Sequence, residues 1–265
     1  MLFIGILLLA LVISLLVDWM IPVSFPLLFL GLAGLAFFFL WFMCQIIDTS
    51  KPQEHDSKFY RWLVGLYIES LIPILRIRIH KTGMEKLPKS GRFLLVCNHT
   101  SNADPVVLLH CFRKSQLAFI SKRENSTMFL VGKVMHKLMC QLVNRENDRE
   151  ALKTIVKCIQ LIRDDEVSVA VFPEGYIHED HKLHRFRHGV FKIATKTGVP
   201  VVVCTLQNTL QIFENMPRLK PTDVQMHLLD VITPEQYAGM TTVQLGEKIY
   251  AMMAADLGPE LVAQE

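Results

Sequence analysis

Two long apolar segments open the chain and set it apart from the rest. The first runs from Met1 to Val17 with Ser14 as its one polar residue, and the second runs from Phe25 to Met43 without a charge. Each is about long enough to cross, or deeply enter, a hydrocarbon layer of about 30 Å. The link between them, 18–22, contains a tryptophan and a turn-forming proline. The pattern therefore predicts an N-terminal helical hairpin embedded in a membrane, over residues 1–50.

A change to mixed polar and apolar residues follows the hairpin. Residues 51–56 are polar and include a proline, which predicts a linker. Apolar residues then recur near a 3.6-residue period as far as Leu71, with Lys58 and Arg61 beside them. This spacing predicts a helix lying in the lipid headgroup region, although a helix packed on the following domain fits the same pattern. Pro73 is expected to end or kink it. We assign 51–74 to this linker and interfacial helix.

Short apolar runs alternate with amphipathic segments from residue 75 to the end. The runs predict strands at 75–80, 93–97, 117–121, 167–172, 201–206 and 224–232. The amphipathic segments predict helices at 105–111, 128–138, 148–163, 190–196 and 242–257, with Asp148 as an N-cap. This alternation is typical of an α/β fold with a mixed β-sheet flanked by helices. We assign 75–265 to one catalytic domain of this class.

Charge is distributed very unevenly between the hairpin and the rest of the chain. Residues 1–50 contain no Lys or Arg, whereas the remainder has 28 basic and 23 acidic side chains, a formal charge of +5. This modest excess favours an anionic membrane surface and anionic substrates. It is too small to indicate a nucleic-acid partner, and no nucleic-acid motif is present. Because Lys51, Lys58 and Arg61 follow the second apolar segment, we expect the catalytic domain on the cytoplasmic face.

The cysteines and histidines do not form a pattern that requires a metal. None of the six cysteines forms a Cys-x-x-Cys pair, and most lie in apolar runs, as expected of small core residues in a reducing compartment. His178, His181 and His184 recur every third residue beside acidic neighbours, which leaves a metal site open as an alternative. A solvated loop explains the same spacing, and we expect no metal.

Two polar motifs each follow a predicted buried strand. His99 and Asp104 lie five positions apart directly after the run 93–97, and Pro173-Glu174-Gly175 follows the run 167–172. A histidine titrates near neutrality, and a neighbouring carboxylate fixes its tautomer and raises its basicity. Such a pair is suited to removing a proton from an alcohol, although each motif alone is also an ordinary polar turn.

Together with two further blocks, these motifs resemble the glycerolipid acyltransferase family, of which 1-acylglycerol-3-phosphate acyltransferase is the type member. The four blocks, in the family's order, are Asn98-His99 with Asp104, Val143-Asn144-Arg145, Phe172-Pro173-Glu174-Gly175 and Gly198-Val199-Pro200-Val201-Val202. A further element, Phe186-Arg187-His188-Gly189, matches the family's aromatic-basic-basic-Gly turn. The resemblance covers about residues 75 to 210.

The resemblance implies roles for seven site residues. His99 is expected to act as general base on a glycerol hydroxyl, with Asp104 orienting its imidazole. Arg145 is the leading phosphate ligand, since a guanidinium matches phosphate bidentately. The other expected substrate-binding residues are Glu174, Gly175, Lys122 and Arg187. For Lys122 and Arg187 a solvated surface charge explains the sequence equally well.

The implied reaction moves a fatty acyl group from acyl-CoA or acyl-carrier protein to the sn-2 hydroxyl of 1-acylglycerol 3-phosphate, giving phosphatidic acid. No cofactor is expected. The expected partners are the lipid bilayer, the lysophospholipid acceptor and the acyl thioester donor. Acyl-carrier protein is a further possible partner, as the alternative donor to acyl-CoA. The family usually has a small polar residue and an arginine after the Glu-Gly, where this chain has Tyr176 and Ile177. The acceptor can therefore also be another lysophospholipid or glycerol 3-phosphate. From a different class, an inactive lipid-binding or scaffold protein stays open as an alternative.

Overall fold

The computed structural model describes residues 2–17, 21–144 and 147–264 of the chain. It begins with helix α1, Leu2–Val17, and helix α2, Ile21–Gln45, which pack against each other. Of the described residues, one stretch, Phe25–Gln45, is helical, long and apolar enough to span a membrane by length and composition. Most of its side chains face away from the protein. The expected hairpin link lies partly outside the described residues, at 18–20.

Helix α3, Lys58–Ile74, lies between the N-terminal helices and the rest of the protein. The Ser57 side chain caps its first turn by accepting the Tyr60 N–H. The Tyr60 hydroxyl then donates to the Met43 carbonyl at 2.9 Å, which fixes α3 to the end of α2. The same helix leaves Trp62 exposed. The helix therefore packs on neighbouring elements, as one of the two expectations for this segment holds, and its position in the lipid headgroup region stays a prediction.

Arg61 contributes to packing as well as to the positive charge that follows α2. Its guanidinium pairs with Asp56 at 2.9 Å, and both side chains are largely buried, with exposed fractions of 12% and 5%. It also donates to the carbonyls of Leu117 and Leu138. One buried guanidinium thus connects the linker and α3 to the catalytic domain. Leu117 and Leu138 are 56 and 77 residues away from Arg61 along the chain, so local sequence does not indicate these contacts.

Within the described residues, seven strands form one mixed sheet. They are β1 Ile77–Thr82, β2 Leu94–Cys97, β3 Leu117–Lys122, β4 Gln141–Val143, β5 Ser168–Val171, β6 Val201–Gln207 and β7 Thr222–Ile232. The order across the sheet is β1-β7-β6-β2-β5-β3-β4, and only the β6–β7 pair is antiparallel. The mixed sheet expected from the sequence is confirmed, with β4 as an additional short strand.

Helices cover both faces of this sheet. They are α4 Asp104–Cys111, α5 Val131–Lys137, α6 Asp148–Arg163, α7 Lys192–Thr197, α8 Gln211–Asn215 and α9 Thr242–Leu257. The buried β2 sends Leu94 and Val96 into a core with α6, α7 and α9, and Leu95 and Cys97 into a core with α4 and α8. Burial on both faces explains its continuously apolar sequence. The N-cap expected at Asp148 is wrong by one residue, because the side chain of Asn147 accepts the first N–H groups of α6.

The topology brings distant segments to one edge of the sheet. Strand β2 lies between β5 and β6 and runs parallel to both, so the residues that follow all three strands meet at their carboxyl ends. The block Gly198–Val202 lies at the opposite edge, since Val201 pairs with Leu94 where β6 and β2 begin. The sequence blocks therefore divide between two edges of the sheet.

We predict that Arg61→Leu lowers the thermal midpoint by roughly 6–12 °C, because breaking a buried ion pair costs about 3 kcal/mol. The exposed Lys58 of the same helix provides the control, and Lys58→Leu is expected to shift the midpoint by no more than about 2 °C. Tryptophan fluorescence during heating of the detergent-solubilised protein measures both variants. Equal midpoints would show that Arg61 does not stabilise this junction.

Candidate active site

His99 and Asp104 lie on either side of a tight turn at the carboxyl end of β2. His99 is the second residue after the strand, and Asp104 is the first residue of α4. The Asp104 N–H donates to the Ser101 carbonyl at 3.1 Å, which closes the turn. Asp104 has an exposed fraction of 0% and His99 keeps 14% of its side chain exposed. The pair therefore has a buried acid behind an imidazole that reaches the surface.

The Asp104 carboxylate receives hydrogen bonds from four groups. His99 Nδ1 lies 2.9 Å from Oδ2, and the backbone N–H groups of Thr100 and Ser101 donate to the same oxygen, each at 2.8 Å. The hydroxyl of Thr209 donates to Oδ1. A carboxylate that accepts all these bonds requires the proton of His99 on Nδ1, which leaves the lone pair on Nε2. The geometry therefore presents the ring nitrogen a general base needs.

The imidazole plane of His99 is fixed by an aromatic neighbour. The Phe172 ring stacks on it with centroids 4.0 Å apart and planes inclined by 13°. Just before the turn, the amide of Asn98 donates to the Leu206 carbonyl at 2.9 Å and accepts the Leu206 N–H at 2.7 Å. This side chain continues the β2–β6 pairing beyond the strand. Asn98 and Phe172 thus hold the turn and the ring without needing to contact substrate.

Glu174 holds the same turn from the side of β5. Its carboxyl oxygens accept the His99 N–H at 2.7 Å and the His184 N–H at 2.9 Å, and its exposed fraction is 2%. Burial raises the pKa of Glu174 to about 8, although the two backbone donors favour the charged form. The position of Glu174 is thus set by protein contacts, and its expected bond to acceptor hydroxyls stays a prediction.

Gly175 and Arg187 lie against each other. Gly175 has φ +92°, and a Cβ built on it would be 3.1 Å from Arg187 Nε. The Arg187 N–H also donates to the Pro173 carbonyl at 2.8 Å. A side chain at Gly175 would therefore be strained and would displace the guanidinium. The structure brings together these two residues, which the sequence analysis assigned to substrate binding from separate motifs.

Lys122 and Arg145 are also expected to bind phosphate. Lys122 ends β3, two strands away from β2, and lies 3.7 Å from Glu124 with both side chains exposed. Arg145 lies outside the described residues. The roles of Lys122 and Arg145 in phosphate binding stay predictions.

The backbone donors of the His99 turn are already engaged. The N–H groups of His99, Thr100 and Ser101 donate to Glu174 and Asp104. These three groups therefore cannot serve as donors to an oxyanion without breaking those bonds. The block around Pro200 lies at the far edge of the sheet, so it does not supply a donor at His99 either.

A cavity of about 380 Å³ opens beside Glu174. Its lining includes Arg185 and Arg187 together with Tyr176 and Tyr250. The rings of His178 and His184 form part of the same wall and stack with centroids 3.5 Å apart. His184 Nε2 pairs with Asp180 at 2.8 Å, whereas the third histidine of this loop, His181, bonds the Thr100 carbonyl instead. His181 and His184 therefore bond different groups, and the expectation of no metal stays a prediction.

Sequence reasoning missed Thr209 and the structural role of Asn98. Thr209 lies 105 positions from Asp104, and no motif spacing relates the two. The β2–β6 pairing creates the contact, since it brings the residues after β6 next to the turn after β2. A polar Asn directly after a buried strand was the available signal for Asn98, because a buried amide must find hydrogen-bond partners.

The raised pKa of Glu174 predicts a pH-dependent stability. Between about pH 5 and 8 the folded protein keeps a proton that the unfolded chain has released, so the free energy of unfolding falls as pH rises. The slope approaches about 1.4 kcal/mol per pH unit and flattens above pH 8. We expect this slope to disappear in Glu174→Gln and to persist in Glu54→Gln, where the glutamate is exposed. Unfolding curves from pH 5 to 9 measure it, and identical slopes in all three proteins would contradict the prediction.

Comparison with known proteins shows which family this chain resembles. The Acyltransferase family model matches residues 78–207, which include the His99 turn and Glu174. A probable 1-acyl-sn-glycerol-3-phosphate acyltransferase of Mycoplasma pneumoniae is 30% identical over 185 residues, 68% of this chain and 66% of that protein. The 1-acyl-sn-glycerol-3-phosphate acyltransferase of Borreliella burgdorferi is 29% identical over 184 residues, 68% of each chain.

A solved structure has the same fold. The crystal structure of the 1-acyl-sn-glycerophosphate acyltransferase PlsC from Thermotoga maritima superposes with a TM-score of 0.62 over 83% of this chain and 86% of that one, at 21% identity. The chain spans about two thirds of the length of the two curated relatives above. On its motifs, its fold and these matches, the chain belongs to the acyltransferase family.

Proposed function

We propose that this acyltransferase moves a fatty acyl group from a thioester donor to the sn-2 hydroxyl of 1-acylglycerol 3-phosphate. The donor is acyl-CoA or acyl-carrier protein, and the product is phosphatidic acid. The observation that carries the proposal is the hydrogen bond between His99 Nδ1 and the buried Asp104, which leaves Nε2 as the basic nitrogen. The names of the relatives support the acceptor, since one is a 1-acyl-sn-glycerol-3-phosphate acyltransferase and another a probable one.

The proposed reaction has two proton transfers through one ring. His99 Nε2 takes the proton of the sn-2 hydroxyl as its oxygen attacks the thioester carbonyl carbon. The resulting imidazolium is stabilised by Asp104, which already accepts from Nδ1. When the tetrahedral intermediate collapses, the C–S bond breaks and the imidazolium returns the proton to the leaving thiolate. An ester and a free thiol result, and the ring is restored without any other reactant.

We further propose that α1 and α2 lie in the membrane and that the catalytic domain lies on its cytoplasmic face. The exposed leucines and phenylalanines along α2 support the first part, because so large an apolar surface is costly in water. The basic residues Lys51 and Lys58, which follow α2, support the second. A lysolipid acceptor and an acyl thioester would then meet at the membrane surface.

We predict that His99→Ala lowers the rate of acyl transfer by about 10²–10⁴-fold, because positioned proton transfer is lost. Asp104→Asn is expected to lower it by about 10²–10⁴-fold, since the amide can donate to Nδ1 and favour the tautomer with the proton on Nε2. Labelled acyl-CoA and acyl-carrier protein, each offered with 1-oleoyl lysophosphatidate to protein in detergent, provide the measurement.

A second histidine–aspartate pair provides the matched control for this experiment. His80 Nε2 lies 2.9 Å from Asp223 at the far end of the sheet, and both side chains are about half exposed. His80→Ala is expected to leave the rate within about twofold of the unmodified protein. Acyl transfer that survives His99→Ala unchanged would refute the proposed mechanism.

The membrane proposal predicts that a charge on α2 disfavours insertion. Leu35 is 62% exposed on α2, and Leu35→Arg is expected to cost about 2.5–3.5 kcal/mol of insertion free energy. Leu152→Arg makes the same change at an exposed position of α6 and is expected to have no effect. Flotation of each protein with anionic vesicles measures the bound fraction. If Leu35→Arg floated as well as Leu152→Arg, the α2 surface would not be the membrane contact.

A further inference from the structure

The cavity beside Glu174 has a chemical character that the His99 turn does not explain. Its side-chain cations are Arg185 and Arg187, and both side chains are exposed to it. The two positions directly after Gly175, Tyr176 and Ile177, have no charge. The arginines of the cavity therefore come from residues 183–187, the later segment of the loop after β5.

Backbone and ring contacts determine which side chains of this later segment, 183–187, face the cavity. Leu183 is fully buried, and its N–H and carbonyl pair with the Leu261 carbonyl at 2.8 Å and the Ala263 N–H at 3.0 Å. Phe186 is buried against Tyr250, with ring centroids 5.3 Å apart in an edge-to-face arrangement. In an extended segment, residues on either side of a buried one point the other way. Arg185 and Arg187 accordingly share the face that lines the cavity.

Each arginine lies near a further residue in or beside the cavity wall. Arg187 packs over Gly175, as the 3.1 Å distance from its Nε to the position of a Cβ there shows. Arg185 lies close enough to Tyr250 to lower the pKa of its phenol, against the larger rise caused by burial. The aromatic rings of Tyr176 and His178, with centroids 4.1 Å apart, form another part of the lining. Two guanidinium groups therefore face one cavity with aromatic walls.

We propose that Arg185 is a specificity-determining residue that, together with Arg187, binds the phosphate monoester of the acceptor lipid. The inference rests on the proposed function, because it places the acceptor headgroup beside the His99 turn. Glu174 links the cavity to that turn through the His99 N–H. A phosphate monoester carries nearly two negative charges near neutral pH and a diester carries one, so two guanidinium groups favour the monoester. Arg185 thus selects the acceptor by its headgroup charge.

The test compares two acceptors of equal acyl chain, 1-oleoyl lysophosphatidate and 1-oleoyl lysophosphatidylglycerol, in mixed micelles with the full chain. Arg185→Gln is expected to raise KM for lysophosphatidate by about 10–100-fold, the loss of one charge-assisted bond, with kcat changed by less than about threefold. For lysophosphatidylglycerol the rise is expected to be several times smaller. Arg185→Lys should recover part of the loss, because a lysine keeps the charge without the bidentate geometry. The control is Arg78→Gln, on the exposed edge strand β1, which should change neither KM.

The dissociation constant of 1-oleoyl lysophosphatidate, determined without any acyl donor, provides a second, independent measurement. Arg185→Gln is expected to weaken this binding by a similar factor, whatever the turnover rate. The inference is overturned if binding and KM are unchanged, or if both acceptors lose affinity equally, as a merely structural residue would cause. An unmodified protein that binds lysophosphatidate through Arg185 but never acylates it would refute the proposed function and leave this inference standing.

Discussion

The buried negative charge of Asp104 is the constraint on which the rest of the site depends. A carboxylate without solvent must be matched by donors, since an uncompensated buried charge costs several kcal/mol. Its donors come from the imidazole of His99, two N–H groups of the turn and the hydroxyl of Thr209. Asp104 also begins α4, where the helix dipole favours a negative charge. The turn, the helix start and the segment after β6 are therefore held together by one charge.

Glu174 is a second buried carboxyl group near the His99 turn, and its hydrogen-bond donors differ from those of Asp104. It is nearly as buried as Asp104 and accepts the N–H groups of His99 and His184, and burial raises its pKa to about 8. Asp104 is therefore suited to stabilising a positive imidazolium, whereas Glu174 is suited to joining backbone segments. Through His99 and His184 it connects the turn after β2 to the loop that carries Arg185. One carboxyl group therefore contacts both the backbone of the proposed base, His99, and the cavity lined by the two arginines.

The sequence predicted those features that local pattern determines. Strands buried on both faces are apolar throughout, so β2 and β5 were located to within a residue or two. The strand β4 was missed because its three residues, Gln141–Val143, form too short a run to show a pattern. Neither Arg61 nor Thr209 could be assigned its contacts, since each bonds a segment more than fifty positions away. Such contacts arise from strand order, which one sequence without its fold does not specify.

The apolar block around Pro200 illustrates how a motif affects the candidate active site from the opposite edge of the sheet. The Pro200 carbonyl accepts the Leu94 N–H at 3.0 Å, and Val201 pairs with Leu94 as the two strands begin. That pairing sets the register of β6 against β2, because successive residues must then pair in step. A slip of one residue would turn every β6 side chain to the other face. It would also separate Leu206 from Asn98 and Thr209 from Asp104. The block therefore acts on the imidazole through register, with no side chain near it.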